Sequence, residues 1–201
     1  MKKSLLVGVM MMLNITVAHA EEIALPAPET NGGQPLMEAI KARRSVRVFD
    51  EKMLEPQTLS NLLWATWGIS SEKGLRVVPT ARNQQNMDLY VLMKSGIYLY
   101  DAKKNVLAQI TDKDLRELMV KGQDFVRKAP VHLLYVTNDE KYGEFHAGSM
   151  YENASLYCAS AGLNCVVRAM YEKEALGKEM GLINGNQVVM SEAVGYPKTQ
   201  D

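Results

Sequence analysis

The chain has 201 residues, carries 23 basic and 23 acidic side chains, and is 47% hydrophobic. That balance excludes recognition of nucleic acid or of an anionic membrane through net charge, and the composition suits a globular domain rather than a disordered or fibrous one. Two cysteines are too few for a disulfide scaffold.

Residues 1–20 read as a secretory signal peptide. Lys2 and Lys3 precede an apolar run over residues 5–17, and Ala18-His19-Ala20 forms an A-x-A cleavage site. Asn14 and Thr16 interrupt that run, which is too short to span a bilayer. The chain is therefore expected to be exported, to the periplasm, with no membrane span. Loss of Lys2 and Lys3 leaves 21 basic against 23 acidic residues, so the mature chain stays near neutral.

The segment "EEIALPAPETNGGQ", residues 21–34, reads as an extended, flexible arm. A single domain is expected over residues 35–201. "PLMEAIKARR" predicts a helix led by Pro35, with Leu36, Met37 and Ile40 on its apolar face. "SVRVFD" alternates like a short strand. "EPQTLSNLLWATWGI" predicts a second helix, with Leu59, Leu62, Leu63, Thr66 and Trp67 at helical spacing and Gly68 as its stop. "DLYVLM", "GIYLYD" and "VLAQI" read as strands, the last two joined as a hairpin through residues 101–105. Thr111 is expected to cap a helix through "DKDLRELMVKG", with Asp114 at the capping-box position.

"VHLLYVT" is a continuous apolar run, as in a central strand. A long helix is expected over residues 143–161, ended by Gly162. "NCVVRAM" predicts a strand, "EKEALGKEMGL" a short helix and "NQVVMSEAVGYP" the last strand. Alternation with a central hairpin predicts an α+β fold with a mixed or antiparallel sheet packed with helices. No G-x-G-x-x-G follows a strand, so a Rossmann site is not supported. Cys158 and Cys165 fit either a bridge or two small buried hydrophobes. His132 and His146 lack metal-ligand spacing, so no metal is expected.

The basic cluster "RRSVR" needs a local explanation. Arginine offers a rigid fork matched to phosphate oxygens, and Ser45 adds a hydroxyl. In an extended segment Ser45 and Arg47 share one side. The competing reading is a solvated helix end, where cations answer the macrodipole. "VPTARNQQN" supplies a second dense set of donors and acceptors in a loop before a strand.

Together these segments resemble the FMN-dependent nitroreductase family. Arg43, Arg44, Ser45, Arg47 and Phe49 match its R-R-S-x-R-x-F element. Pro79, Thr80, Asn83 and Gln85 resemble its P-S-x-x-N-x-Q-P-W element, with Asn86 and Met87 in place of Pro-Trp. "ASAGLNCVVRAM" resembles the helix–Gly–strand segment that passes the flavin, and "AVGYPK" the closing G-Y-P. "SGIYLYDAKKNVLAQI" further resembles the hairpin of the subgroup near azoline-forming peptide dehydrogenases.

The resemblance implies an intertwined homodimer with FMN at the subunit interface. It implies that Arg43 and Ser45 hold the phosphate or ribityl chain, with Arg44 beside them. Arg47 would meet the pyrimidine edge, and Pro79, Thr80, Ala81 and Asn83 would close the site from the partner subunit. Val166, Val167, Arg168 and Ala169 would lie along the ring. Arg168 stands where many members have Gly or Glu, and Lys198 would take the place of a further basic residue for the phosphate. FMN would carry the chemistry, with NAD(P)H as one reductant the family uses and a nitroaromatic or quinone as the small-molecule acceptor. Three other readings stay open: an FMN-binding electron-transfer protein with little turnover, a peptide azoline dehydrogenase, and a cofactor-free structural domain.

Overall fold

A computed structural model describes residues 21–198. The signal-peptide reading of residues 1–20 lies outside them. One seven-stranded sheet carries the fold. Its strands are β1 (Glu22–Ala24), β2 (Asp88–Met93), β3 (Gly96–Asp101), β4 (Val106–Thr111), β5 (Val131–Thr137), β6 (Asn164–Arg168) and β7 (Gln187–Gly195). They are ordered β1-β4-β3-β2-β5-β7-β6, and every pairing between them is antiparallel. The α+β expectation holds.

The central position of β5 follows from its sequence. All seven residues of "VHLLYVT" are buried, because layers cover both faces of the sheet. Val131, Leu133 and Tyr135 point to one layer, with α2 (Pro56–Trp67) and α3 (Gly143–Ser160). Leu134 and Val136 point to the other, under α4 (Lys173–Glu179) and two short 3-10 segments. Helix α2 starts on Pro56, buries Leu59, Leu62, Leu63 and Trp67, and ends at Gly68. Helix α3 lays Ala147, Met150, Ala154 and Cys158 on the sheet. Gly162, at φ +69°, then reverses the chain into β6.

Four expectations are corrected. The helix expected after Thr111 does not form. Asp114 instead pairs bidentately with the Arg116 guanidinium (2.9 and 2.7 Å) and accepts the Arg116 N–H. The chain then makes only 3-10 segments at Arg116–Met119 and Asp124–Lys128. "SVRVFD" forms no full strand: Ser45 makes one isolated parallel bridge to Cys165, and Asn164 donates to the Val48 carbonyl (2.7 Å). Helix α1 (Leu36–Ala42) forms, but its apolar face is turned outward. Ala39 packs inward, while Leu36, Met37 and Ile40 are 65%, 72% and 47% exposed.

The segment read as a flexible arm is tied down. β1 pairs with β4, Asn105 donates to the Pro26 carbonyl (2.7 Å), and the Gln34 N–H donates to Ser160 (2.8 Å). An apolar cavity of 730 Å³ lies between β1, residues 51–59 and the β2–β3 turn. Among the described residues no helix is long and apolar enough to cross a membrane.

Two positions give direct tests of this packing. Gly96 opens β3 at φ +133°, and a Cβ there would meet the Thr111 carbonyl oxygen across the hairpin. Gly96→Ala is expected to destabilise by about 2–3 kcal/mol in a urea melt. His132 lies fully buried in β5, and neither ring nitrogen has a well-aligned hydrogen-bond partner, although the Val126 backbone lies near. Burial, reinforced by the charge of Arg168, pushes its pKa down to about 3 from 6.5. The unfolded chain therefore takes a proton that the native state refuses, so stability falls as pH drops below 6.5. His132→Leu should remove that acid-side slope and match or exceed the wild type by about 1 kcal/mol near neutrality, read from urea midpoints across pH.

Candidate active site

Helix α1 ends where the basic cluster begins, and the two arginines divide the work. The Arg43 N–H caps the helix on the Ala39 carbonyl (2.9 Å). The Arg44 guanidinium folds back and donates to the carbonyls of Lys41 (2.9 Å) and Arg43 (2.7 Å). Arg44 thus serves the helix end, as the macrodipole favours. The Arg43 guanidinium stays available: among the described residues its one ion-pair contact is Nε to the Glu152 carboxylate at 3.9 Å, with both side chains partly exposed.

Ser45 then bridges to Cys165, and the Val46 N–H donates to the Cys165 carbonyl (2.9 Å). This stitch sets the cluster against β6. Arg43, Arg44, Ser45, Val166 and Val167 line one cavity of 390 Å³, with Tyr151, Glu152, Ser155 and Cys165 completing it. Five of the residues expected in the site are thereby brought together.

The others stand elsewhere. Arg47 lies over the Phe125 ring from 6.0 Å, and Arg168 approaches the same ring from 5.7 Å. Arg168 turns inward, donates to Gln123 (2.7 Å) and to the Met170 carbonyl (2.6 Å), and keeps Nη1 buried without a partner. Burial lowers its pKa. Its guanidinium does not line the cavity. Ala169 is exposed just past β6, and Lys198 is exposed past β7.

The loop holding Pro79, Thr80, Ala81 and Asn83 packs against the first turns of α3. There the Ala81 N–H donates to His146 Nε2 (2.8 Å). Thr80 Oγ1 accepts the Gln85 N–H (3.0 Å), and Arg82, Asn83 and Gln85 hold left-handed backbone. Arg76 fixes the loop from behind: it sits 4.5 Å over the Trp67 ring and donates to Gln85 (3.1 Å). The loop does not line the cavity with Arg43.

A buried polar network beneath the cavity was not anticipated. Glu192 of β7 is fully buried and accepts from Tyr135 (2.8 Å) and from Ser155 (2.8 Å). Burial first, and then the neighbouring Cys165, hold its carboxyl well above the usual carboxylate range. The neighbouring Cys158 thiol, Ser155 and Glu192 lower the thiol pKa of Cys165 against the opposing effect of burial. Burial pushes the Cys158 thiol up. Both cysteines are free. The legible signal was a lone acid inside the apolar strand "VVMSEAVG".

The family described as the Nitroreductase family matches residues 40–196. A protein assigned as a nitroreductase in Methanocaldococcus jannaschii is 29% identical over 160 residues, covering 69% of this chain and 81% of that one. A crystal structure from Ralstonia eutropha JMP134, also assigned as a nitroreductase, is 36% identical. It aligns over 92% of this chain and 93% of its own, with a TM-score of 0.82. An FMN-dependent nitroreductase of Clostridium difficile R20291 shares the fold at 16% identity and TM-score 0.57, over 82% and 89% of the two chains.

Proposed function

This chain belongs to the nitroreductase family, and from that premise we propose that it is an exported FMN-dependent oxidoreductase that works as a homodimer. The observation that carries the reading is the cavity in which Arg43, Arg44 and Ser45 face the β6 wall. The donors fit the cofactor. Arg43 and Ser45 offer a planar fork and a hydroxyl to phosphate or ribityl oxygens, while Val166 and Val167 offer an apolar wall. Arg47, two residues past Ser45, would bring a fixed positive charge to the pyrimidine edge of the ring. Arg168 and Ala169 would extend the wall, and Lys198 would add charge at the phosphate end.

Pro79, Thr80, Ala81 and Asn83 would close the site from the second subunit. The outward apolar face of α1 supports that second copy, as does Phe145, which is 75% exposed. Bound FMN supplies two-electron transfer at its N5, and the residues of this chain bind it, orient it and set its charge environment. The acceptor class is a nitroaromatic or a quinone, with NAD(P)H as the reductant to test. Export rests on the signal segment within residues 1–20.

Purified protein incubated with FMN and desalted is expected to retain flavin absorbance. It should also reduce a quinone or nitroaromatic when given NAD(P)H. A colourless protein sinks the reading. Light scattering tests the dimer, and cell fractionation with and without residues 1–20 tests export.

A further inference from the structure

Glu192 sits in the middle of the sheet, opposite Leu133 of β5 and Val167 of β6, and is fully buried. Two hydroxyls reach it: Tyr135 at Oε2 and Ser155 at Oε1, each at 2.8 Å. Among the described residues no cation pairs with it. Two hydroxyl donors do not offset the cost of burying an unpaired carboxylate, so the carboxyl keeps its own proton. The protons of the network can then be counted. Tyr135, Ser155 and Glu192 bring one each, and the network absorbs two of the three. In one arrangement Tyr135 donates to Glu192, Glu192 donates to Ser155, and the Ser155 proton is left over. In the other, Ser155 donates to Glu192, Glu192 donates to Tyr135, and the Tyr135 proton is left over. Tyr135 lies wholly inside the core with no second acceptor among the described residues, so the latter strands a donor there. Ser155 stands at the wall of the cavity that holds Arg43 and Ser45, so the former points its surplus proton at the occupant of that cavity.

We propose that Ser155 is a further donor to the FMN phosphate, held with its proton toward the cavity by the neutral carboxyl of Glu192. The identity of the anion rests on the FMN reading above. Ser155 touches the phosphate, while Glu192 and Tyr135 act through it as positioning residues. The rest of the cavity suits the same anion. Arg43 keeps its guanidinium available, and Ser45 adds a second hydroxyl. Glu152, the one carboxylate lining the cavity, is 3.9 Å from Arg43. An ionised Glu192 would turn the Ser155 proton inward and leave a lone pair facing the phosphate. It would also put a negative charge beneath a group that is itself doubly negative. The buried acid therefore fixes the polarity of one hydrogen bond at the cavity wall.

Two measurements on the full chain test this. The first compares FMN with riboflavin, which lacks the phosphate, by flavin fluorescence titration, with a thermal melt to show that each variant is folded. Ser155→Ala should bind FMN about 10- to 100-fold more weakly than the wild type and riboflavin equally well. Glu192→Gln, whose amide accepts from Tyr135 and still donates to Ser155, should keep the wild-type affinity for both flavins. Unchanged FMN affinity in Ser155→Ala, or equal losses for the two flavins, overturns the proposal and leaves the FMN reading intact. The second measurement needs no change at Ser155. The infrared spectrum of the wild type should contain a carboxylic-acid C=O band that Glu192→Gln lacks, and that band should shift when FMN is added but stay in place with riboflavin. A wild type without the band, or a band that FMN leaves in place, also overturns the proposal. A wild type that binds neither flavin overturns the FMN reading and this one together.

Discussion

Alanine at both Arg43 and Ser45 is expected to weaken FMN binding roughly 100- to 10,000-fold. Each position offers a hydrogen bond to a charged phosphate or to a ribityl oxygen, worth about 1.5–3 kcal/mol apiece. The fold should hardly notice. Arg43 makes one long contact with Glu152 (3.9 Å) from a half-exposed position, an interaction worth at most about 1 kcal/mol. Flavin fluorescence titration and a thermal melt, run on the same preparations, separate the two effects. Arg44→Ala should behave in the opposite way. It removes the cap on the carbonyls of Lys41 and Arg43, so the melt should drop by the equivalent of about 0.5–1 kcal/mol with a smaller loss of affinity. If Arg44→Ala costs more affinity than Arg43→Ala, the division of work between the two arginines is reversed.

Glu192 should make wild-type stability fall as pH rises. Its carboxyl is fully buried with no cation beside it, and its native pKa is raised well above 4.5. Above pH 4.5 the unfolded chain releases a proton that the native state retains, so the stabilisation present at low pH is lost as pH climbs toward the native pKa. Glu192→Gln keeps acceptors and a donor for Tyr135 and Ser155 without a titrating proton. Its urea midpoint should be flat across the range where the wild type declines. Glu192→Leu should instead cost about 2–6 kcal/mol at any pH, because it strands two buried hydroxyls at about 1–3 kcal/mol each. A wild type that gains stability between mildly acidic and neutral pH would mean that Glu192 is ionised in the native state. His132 acts on the other side of the curve, since its stabilisation is lost as pH falls below 6.5. The two buried groups together bound a window in which the fold is most stable.

Much of this was legible because periodicity reports burial. β5 declared itself by seven apolar-compatible residues in a row, α3 by the Gly162 that ends it, and the β3–β4 hairpin by its polar turn. The clearest failures have local causes. Asp114 carried the signature of a cap, but Arg116 two residues on captured both of its oxygens. Leu36, Met37 and Ile40 did mark a helix face, but one turned away from the core, because periodicity marks an apolar face and not the direction in which it packs. In the site, the cluster at Arg43, Arg44 and Ser45 was readable because chain neighbours stay neighbours. The network of Tyr135, Ser155 and Glu192 was not, because it joins three elements that meet only in the folded chain.

The strand at Glu22–Ala24 also sets an order of assembly. It completes the sheet by pairing with β4, and the ion pair across that seam joins Glu22 to Lys104, 82 positions later in the chain (3.2 Å). It docks on β4 once β3 and β4 have closed their own hairpin, so this early strand is among the last to be zipped. With only three paired residues it should also be the first to peel. Amide hydrogen exchange at Ile23 should therefore report opening of the sheet's rim at far lower free energy than exchange at Leu133 or Leu134, which awaits collapse of the whole domain.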